Sequence, residues 1–251
     1  METIQLEIQD KIAIITLARS VTNAINLTLV NELKKTLDHI KMDRNVVGFV
    51  MTSANDKFFS MGFDIPELYI LTKEEFQFFF KRFNRLCLDL YTLPKPSIAA
   101  INGHAVAGGC ILSICCDYRF IADGRKLMGL NEIKLGVPLP YPCDRILENL
   151  VGYRYTRDFA DSGDFFEPER LVKMGMVDRI LHLDQLLQKS IKHVKRIGDY
   201  SLTVSEMIKR NRVERVVQQI LSKLDEREDF WVDCWYSEGT RTKLKEAMEK
   251  F

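Results

Sequence analysis

Three stretches of this 251-residue chain set polar atoms among apolar neighbours, where they would be most reactive. The first is Ser97–Cys116, SIAAINGHAVAGGCILSICC: a short apolar strand, a turn carrying Gly103, Gly108 and Gly109, and a helical stretch from Cys110. Glycines let a ligand approach the backbone, and the unpaired N–H groups of a helix's first turn, with its dipole, favour developing negative charge. That charge could sit on a phosphate or on the oxygen of a carbonyl substrate. The glycines do not make GxGxxG and no GK[ST] follows, so a nucleotide has weak support, whereas an oxyanion needs only neutral donors. A tight strand-to-helix turn without a ligand accommodates the same residues.

The second stretch, FFSMGFDIPELY (Phe58–Tyr69), follows an apolar run, places Gly62 in a turn and starts a helical turn near Asp64. Two such loops at the ends of neighbouring strands could each direct an N–H into one crevice, the position where open α/β sheets bind ligands. The third is MGLNEIKLGVPLP (Met128–Pro140), in which Glu132 is the single acid. A carboxyl held in apolar surroundings has a raised pKa, which suits a general base acting on a weakly acidic carbon; the alternative is a solvated loop glutamate. His104 has no acidic partner nearby and reads as a loop or packing histidine, and His39, His182 and His193 fall in polar settings. Six cysteines show no CxxC pair or Cys/His ligand spacing, so no metal site can be assembled. No GxSxG elbow is present, and Cys110 at the helix start lacks a histidine partner.

Positioning these stretches requires a layered frame. TIQLEIQ and KIAIITL, split at Asp10, read as a β-hairpin. Leu29, Val30, Leu33, Leu37 and Ile40 recur at helical spacing within Leu27–Met42. VVGFVMT (Val46–Thr52) and SIAAI (Ser97–Ile101) are continuous apolar runs, as expected of strands covered on both faces. A helix over Glu74–Leu93, strands at Tyr118–Asp123 and Val177–Leu181, and a helical stretch over Gly108–Cys116 complete an α/β alternation. After Leu183 only helical patterns follow, around 183–197, 203–225, 227–237 and 240–250, which divides the chain softly into 1–190 and 191–251. Trp231, Val232, Trp235 and Tyr236 crowd the helical part and either pack on the chain's own core or form a subunit interface.

Composition narrows the partners. With 46% apolar and 28% charged residues the chain is a folded globular protein, and 36 basic against 35 acidic residues leave +1, too little field to recruit nucleic acid or a membrane surface. The cysteines sit mostly in apolar company and read as free thiols in a reducing compartment. The uncharged run 97–116 is long enough to cross a bilayer, but its glycine break would strand backbone polar groups in lipid. The start METIQLEIQD lacks the features of a signal peptide and the end MEKF those of a peroxisomal signal, so the cytoplasm is the default expectation.

Taken together, AAINGHAVAGGCILSICCDYRFIAD (Ala99–Asp123), KFFSMGFDI (Lys57–Ile65) and RSVTNAIN (Arg19–Asn26) resemble the crotonase (enoyl-CoA hydratase/isomerase) superfamily. The resemblance implies an α/β spiral of ββα units of the ClpP/crotonase type, followed by a helical C-terminal region that mediates assembly into a homotrimer or a dimer of trimers. It implies an acyl-CoA thioester as substrate and an enolate held by the N–H groups of Phe63 and Gly108. It places Ala24, Gly62, Asp64 and Ile65 around the CoA moiety, Ile111 and Asn131 beside the substrate, and Glu132 as the catalytic acid/base. It implies no metal and no cofactor apart from the CoA of the substrate. Family hydratases carry one glutamate directly after the GGC of the central signature and a second in the stretch that here reads GLNEIKLG; this chain has Ile111 and Glu132 there. The single remaining acid, together with GLNE and LENLVG, resembles the 3,2-enoyl-CoA isomerase branch. Hydration, decarboxylation, thioester hydrolysis and non-catalytic acyl-CoA binding stand as alternatives. Pro138, Pro140 and Pro142 make the loop after Glu132 unusual.

Overall fold

The computed structural model describes residues 1–249. The chain opens with the hairpin β1 (Ile4–Gln9) and β2 (Ile12–Leu17), whose turn holds Asp10 and Lys11 at positive φ, and continues through α1 (Leu27–Met42) into β3 (Gly48–Ser53). Next come β4 (Phe58–Ser60), α2 (Ile65–Tyr69), α3 (Lys73–Thr92), β5 (Ser97–Ile101), β6 (His104–Val106), α4 (Gly108–Ile114) and β7 (Tyr118–Ala122). The middle of the chain forms β8 (Met128–Gly129), α5 (Glu132–Leu135), α6 (Tyr141–Ser162), β9 (Phe165–Phe166), α7 (Pro168–Lys173) and β10 (Arg179–Leu181). Four helices follow, α8 (Leu183–Gly198), α9 (Leu202–Leu221), α10 (Leu224–Tyr236) and α11 (Glu238–Met248).

Six strands form one sheet in the order β1-β2-β3-β5-β7-β10, parallel except for β1. Strand alternation sorts their side chains onto two faces. Ile12, Ile14, Val50, Ile98 and Ala100 pack under α8 with Leu186, Ile191 and Val194, whereas Ala13, Ile15, Phe49, Met51, Ala99 and Ile101 face the larger core with α1, α3 and α4. Coverage on both faces is why β3 and β5 are apolar throughout. A second sheet, β4-β6-β8-β9, is built of strands two or three residues long. All seven residues of α4 are buried, and the helix packs against strands of both sheets.

The expected elements fall within a few residues of their predicted bounds, and the structure departs from expectation elsewhere. The proline-bearing stretch after Glu132 does not stay a loop: Pro142 sits in the first turn of α6, where its missing N–H costs nothing, and a 22-residue helix follows. Gly152 interrupts that helix at φ 74°, ψ 165°, so its two halves turn different faces inward and no single apolar period marks it in the sequence. The aromatic stretch of α10 faces inward, which corrects the interface alternative for Trp231, Val232 and Trp235: all three are buried. Phe76 stacks on Trp235 at 4.4 Å and Phe80 on Trp231 at 4.2 Å, and Asn84 Nδ2 donates to Glu228 Oε1 at 3.0 Å, fastening α10 to α3. The helix α8 runs unbroken through residue 190. Five cysteines are buried free thiols and Cys234 is half-buried. His193 also departs from its expected polar setting, packing edge-on to Tyr118 and Phe120. Among the described residues no helix is long and apolar enough to cross a membrane.

Candidate active site

The two glycine loops leave neighbouring strands. Phe58–Ser60 and His104–Val106 pair in parallel, so the chain segments following them emerge side by side. In the first, Ile25 N donates to Gly62 O at 2.7 Å and Asp64 N donates to Ile25 O at 2.9 Å. This one-residue parallel bridge consumes the flanking groups and turns the N–H of Phe63 to the opposite side. In the second, Ala107 takes φ 45°, ψ −118°, a strained conformation for a residue with a Cβ, and launches α4 without a side-chain cap. Among the described residues neither Phe63 N nor Gly108 N finds an acceptor. Gly109 lets α4 approach β4, since a Cβ there would lie 2.3 Å from the Ser60 carbonyl oxygen.

A cavity of about 660 Å³ lies in front of these loops. Its rim carries half-buried or exposed residues, including Ala24, Ile65, His104, Lys134, Phe165 and Lys243, and its base is formed by buried ones, Gly108, Ile111, Glu132, Val137, Trp231 and Trp235. Phe63, Asp64 and Asn131 also line it; Gly62 lies behind the wall, against Gly108. The cavity thus brings together Phe63, Gly108, Glu132, Ala24, Asp64, Ile65, Ile111 and Asn131, residues spread over more than a hundred positions of the chain.

Glu132 opens the short helix α5, next to β8, and is 5% exposed. Its Oε2 has no partner among the described residues, and burial lifts its pKa to about 7. Close by, the thiols of Cys110 and Cys143 are raised far above their ordinary range, first by burial and then by the Glu132 charge, so they stay protonated and place no second negative charge beside it. The carboxylate therefore exists in a setting that favours its protonated form, which makes it a strong base for its type.

His104 is not placed as a base. Its Nδ1 accepts from Leu127 N at 2.8 Å, and its pKa is lowered by burial and then by Lys126, Arg125 and Lys57. Those three cations, with Lys243 and an Asp164-paired Lys134 on the rim, supply local positive charge within the balanced total. Among the described residues no group of three or more His, Cys, Asp and Glu side chains is placed to hold a metal ion.

Arg19, the first residue of RSVTNAIN, organises the site. Arg19 Nη1 donates to Ala24 O at 2.9 Å and pairs with Asp64 at 2.7 Å, while Nη2 reaches Glu67 at 2.9 Å. Asn26 Nδ2 donates to the same Glu67 carboxylate and its Oδ1 caps α1 through Leu29 N. The loop bearing Ala24 is thereby locked to the loop bearing Phe63. Trp231 and Trp235 were visible in sequence only as an aromatic cluster; that they line a cavity follows from the return of α10 over α3.

The chain is similar to known proteins over most of its length. The family described as enoyl-CoA hydratase/isomerase matches residues 7–251. Enoyl-CoA delta isomerase 1, mitochondrial, of Mus musculus is 30% identical over 213 residues, covering 83% of this chain and 74% of that protein. The short-chain-enoyl-CoA hydratase of Clostridium acetobutylicum is 25% identical over 252 residues, covering 100% of this chain and 96% of that protein. Among solved structures, human mitochondrial delta3-delta2-enoyl-CoA isomerase superposes with a TM-score of 0.94 at 23% identity, covering 99% of this chain and 97% of that one. An enoyl-CoA hydratase from Bacillus halodurans superposes at 0.89 and 20% identity, covering 97% and 99%. This chain shares the crotonase fold with these two solved structures.

Proposed function

The chain belongs to the enoyl-CoA hydratase/isomerase family, and from that membership we propose that it moves the double bond of a 3-enoyl-CoA to the 2-position, with Glu132 as its single base. The observation that carries this reading is a lone buried carboxyl, raised to about 7, in a cavity where position 111 is isoleucine and not a second acid. Addition of water calls for a held water and usually two carboxylates; transposition calls for one base that serves two carbons.

In this mechanism the thioester oxygen sits between the N–H groups of Phe63 and Gly108. Glu132 removes the proton from the carbon between the carbonyl and the double bond, and the electron pair delocalises into a dienolate whose oxygen the two N–H groups stabilise. Each such donor contributes roughly 3 kcal/mol in comparable sites. The newly neutral carboxyl suits its apolar setting, and it returns the same proton to the γ carbon, regenerating the carboxylate and leaving the 2-enoyl thioester. CoA binding at Ala24, Asp64 and Ile65 and the absence of any cofactor beyond the CoA of the substrate belong to the same proposal.

Incubation with 2-enoyl-CoA and 3-enoyl-CoA side by side tests it. The 3-enoyl substrate is converted to the 2-enoyl product, and no 3-hydroxyacyl-CoA forms from either. Appearance of the hydroxyacyl product would make the enzyme a hydratase, and acyl-CoA binding without turnover would make it a binding protein.

The helical region is proposed to carry homotrimer assembly, supported by the exposed apolar residues Tyr200, just before α9, and Val204, Met207 and Ile208 in its first turns. A monomer mass in sedimentation equilibrium would overturn that part.

A further inference from the structure

The base of the cavity has a construction that bears on which acyl groups fit. Depth runs from an exposed rim with Lys134, Phe165 and Lys243 to a buried floor at Trp231 and Trp235, 3% and 1% exposed. A CoA moiety needs the wet, cationic rim for its phosphates, so an acyl tail leaving the thioester at Phe63 and Gly108 must run the other way, toward the floor. That floor is rigid. Trp231 lies edge-on to the Phe63 ring at 6.3 Å, stacks on Phe80, and donates its indole N–H to Pro138 O at 2.7 Å. Trp235 stacks on Phe76 and lies 5.7 Å from Trp231. Each tryptophan is thus backed by a stacked phenylalanine of α3, and close packing of this kind resists displacement by a longer tail.

We propose that Trp231 and Trp235 end the acyl end of the cavity and set an upper limit to the acyl tail, making short- and medium-chain thioesters the preferred class. The inference rests on the acyl-CoA reading of the site but not on the reaction performed there. A cavity of about 660 Å³ must hold the inner part of the CoA arm as well as the tail, which leaves a limited allowance for methylenes. Once a tail meets a floor that cannot yield, each further methylene costs about tenfold or more in specificity.

Trp235 is the better probe of the two. Its indole nitrogen has no acceptor among the described residues, so replacing it removes volume without leaving a partner unpaired. The affinities of saturated acyl-CoAs from six to sixteen carbons are measured by calorimetry on the full chain, and kcat/KM is measured for the matching 3-enoyl-CoAs. In the unmodified protein, affinity should climb with length and then fall tenfold or more across two added carbons. In Trp235→Leu the ratio of long-chain to short-chain affinity should rise at least tenfold; Trp235→Phe, which keeps a ring on Phe76 and guards against loss of folding, should move it the same way by less. A series with no break in the unmodified protein, or ratios unaltered in both variants, overturns the proposal. A break in binding without 3-enoyl turnover refutes the isomerase reading and leaves the length limit standing; turnover without a break does the reverse.

Discussion

The Cα of Gly62 lies against the backbone nitrogen of Gly108, so close that a methyl group added at Gly62 would stand 2.8 Å from that nitrogen and 2.9 Å from the Ala107 Cβ. One glycine therefore allows the close approach of the two loops whose Phe63 and Gly108 N–H groups serve a single oxygen in the proposed mechanism. Its φ of 91° is a second reason why no other residue fits. Gly62→Ala should lower kcat/KM by on the order of a hundredfold, comparable with loss of one oxyanion donor. Gly239→Ala, at an exposed helical position with open space around it, should leave kcat/KM unchanged. Steady-state kinetics on both variants checks this.

Glu132→Gln should reduce 3-enoyl-CoA turnover by a factor on the order of a thousand, the middle of the range for general bases. In the unmodified enzyme kcat/KM should rise with pH through about 7, because only the ionised carboxylate accepts the proton. Wild-type turnover in the glutamine variant would remove Glu132 from its role.

The same carboxyl makes a prediction about stability. Burial raises its pKa in the folded protein from 4.5 to about 7, so the folded state holds a proton that the unfolded chain releases. Its contribution is complete below about 4.5 and is lost as pH rises through about 7, a total on the order of 3 kcal/mol at 1.4 kcal/mol per pKa unit. Thermal melts should therefore show Glu132→Gln more stable than the parent at pH 8, with the gap closing below pH 5.

Arg19 ties Ala24 to Asp64 and Glu67, whereas Phe63 is held independently by the Ile25 backbone. Arg19→Gln should accordingly raise KM for acyl-CoA several-fold with a smaller change in kcat. An equal fall in kcat and kcat/KM would show that the guanidinium acts on the oxyanion loop as well.

Much of the frame was legible locally. Leu27–Met42 shows its helical period in a single stretch, and Ser97–Ile101 is apolar because both of its faces are covered. The second sheet was not legible, since strands such as Met128–Gly129 are shorter than any period that could announce them. The helix Tyr141–Ser162 was hidden because Gly152 rotates its buried face halfway along. His104, a loop residue by pattern, became a strand residue because it pairs with Phe58 nearly fifty positions earlier.

For the site, the residue types and their motifs were set by the sequence: a lone acid in GLNEIKLG, glycines at 62, 108 and 109, and isoleucine at 111. Only the tertiary structure decided how basic that acid is, because its desolvation depends on burial, with Cys110 of α4 and Cys143 of α6 close by. It also decided that Trp231 and Trp235 form the floor of the cavity. An aromatic cluster is equally apolar whether it turns inward or outward, and what selects the inward choice is the complementary row of phenylalanines on α3, some 150 residues away.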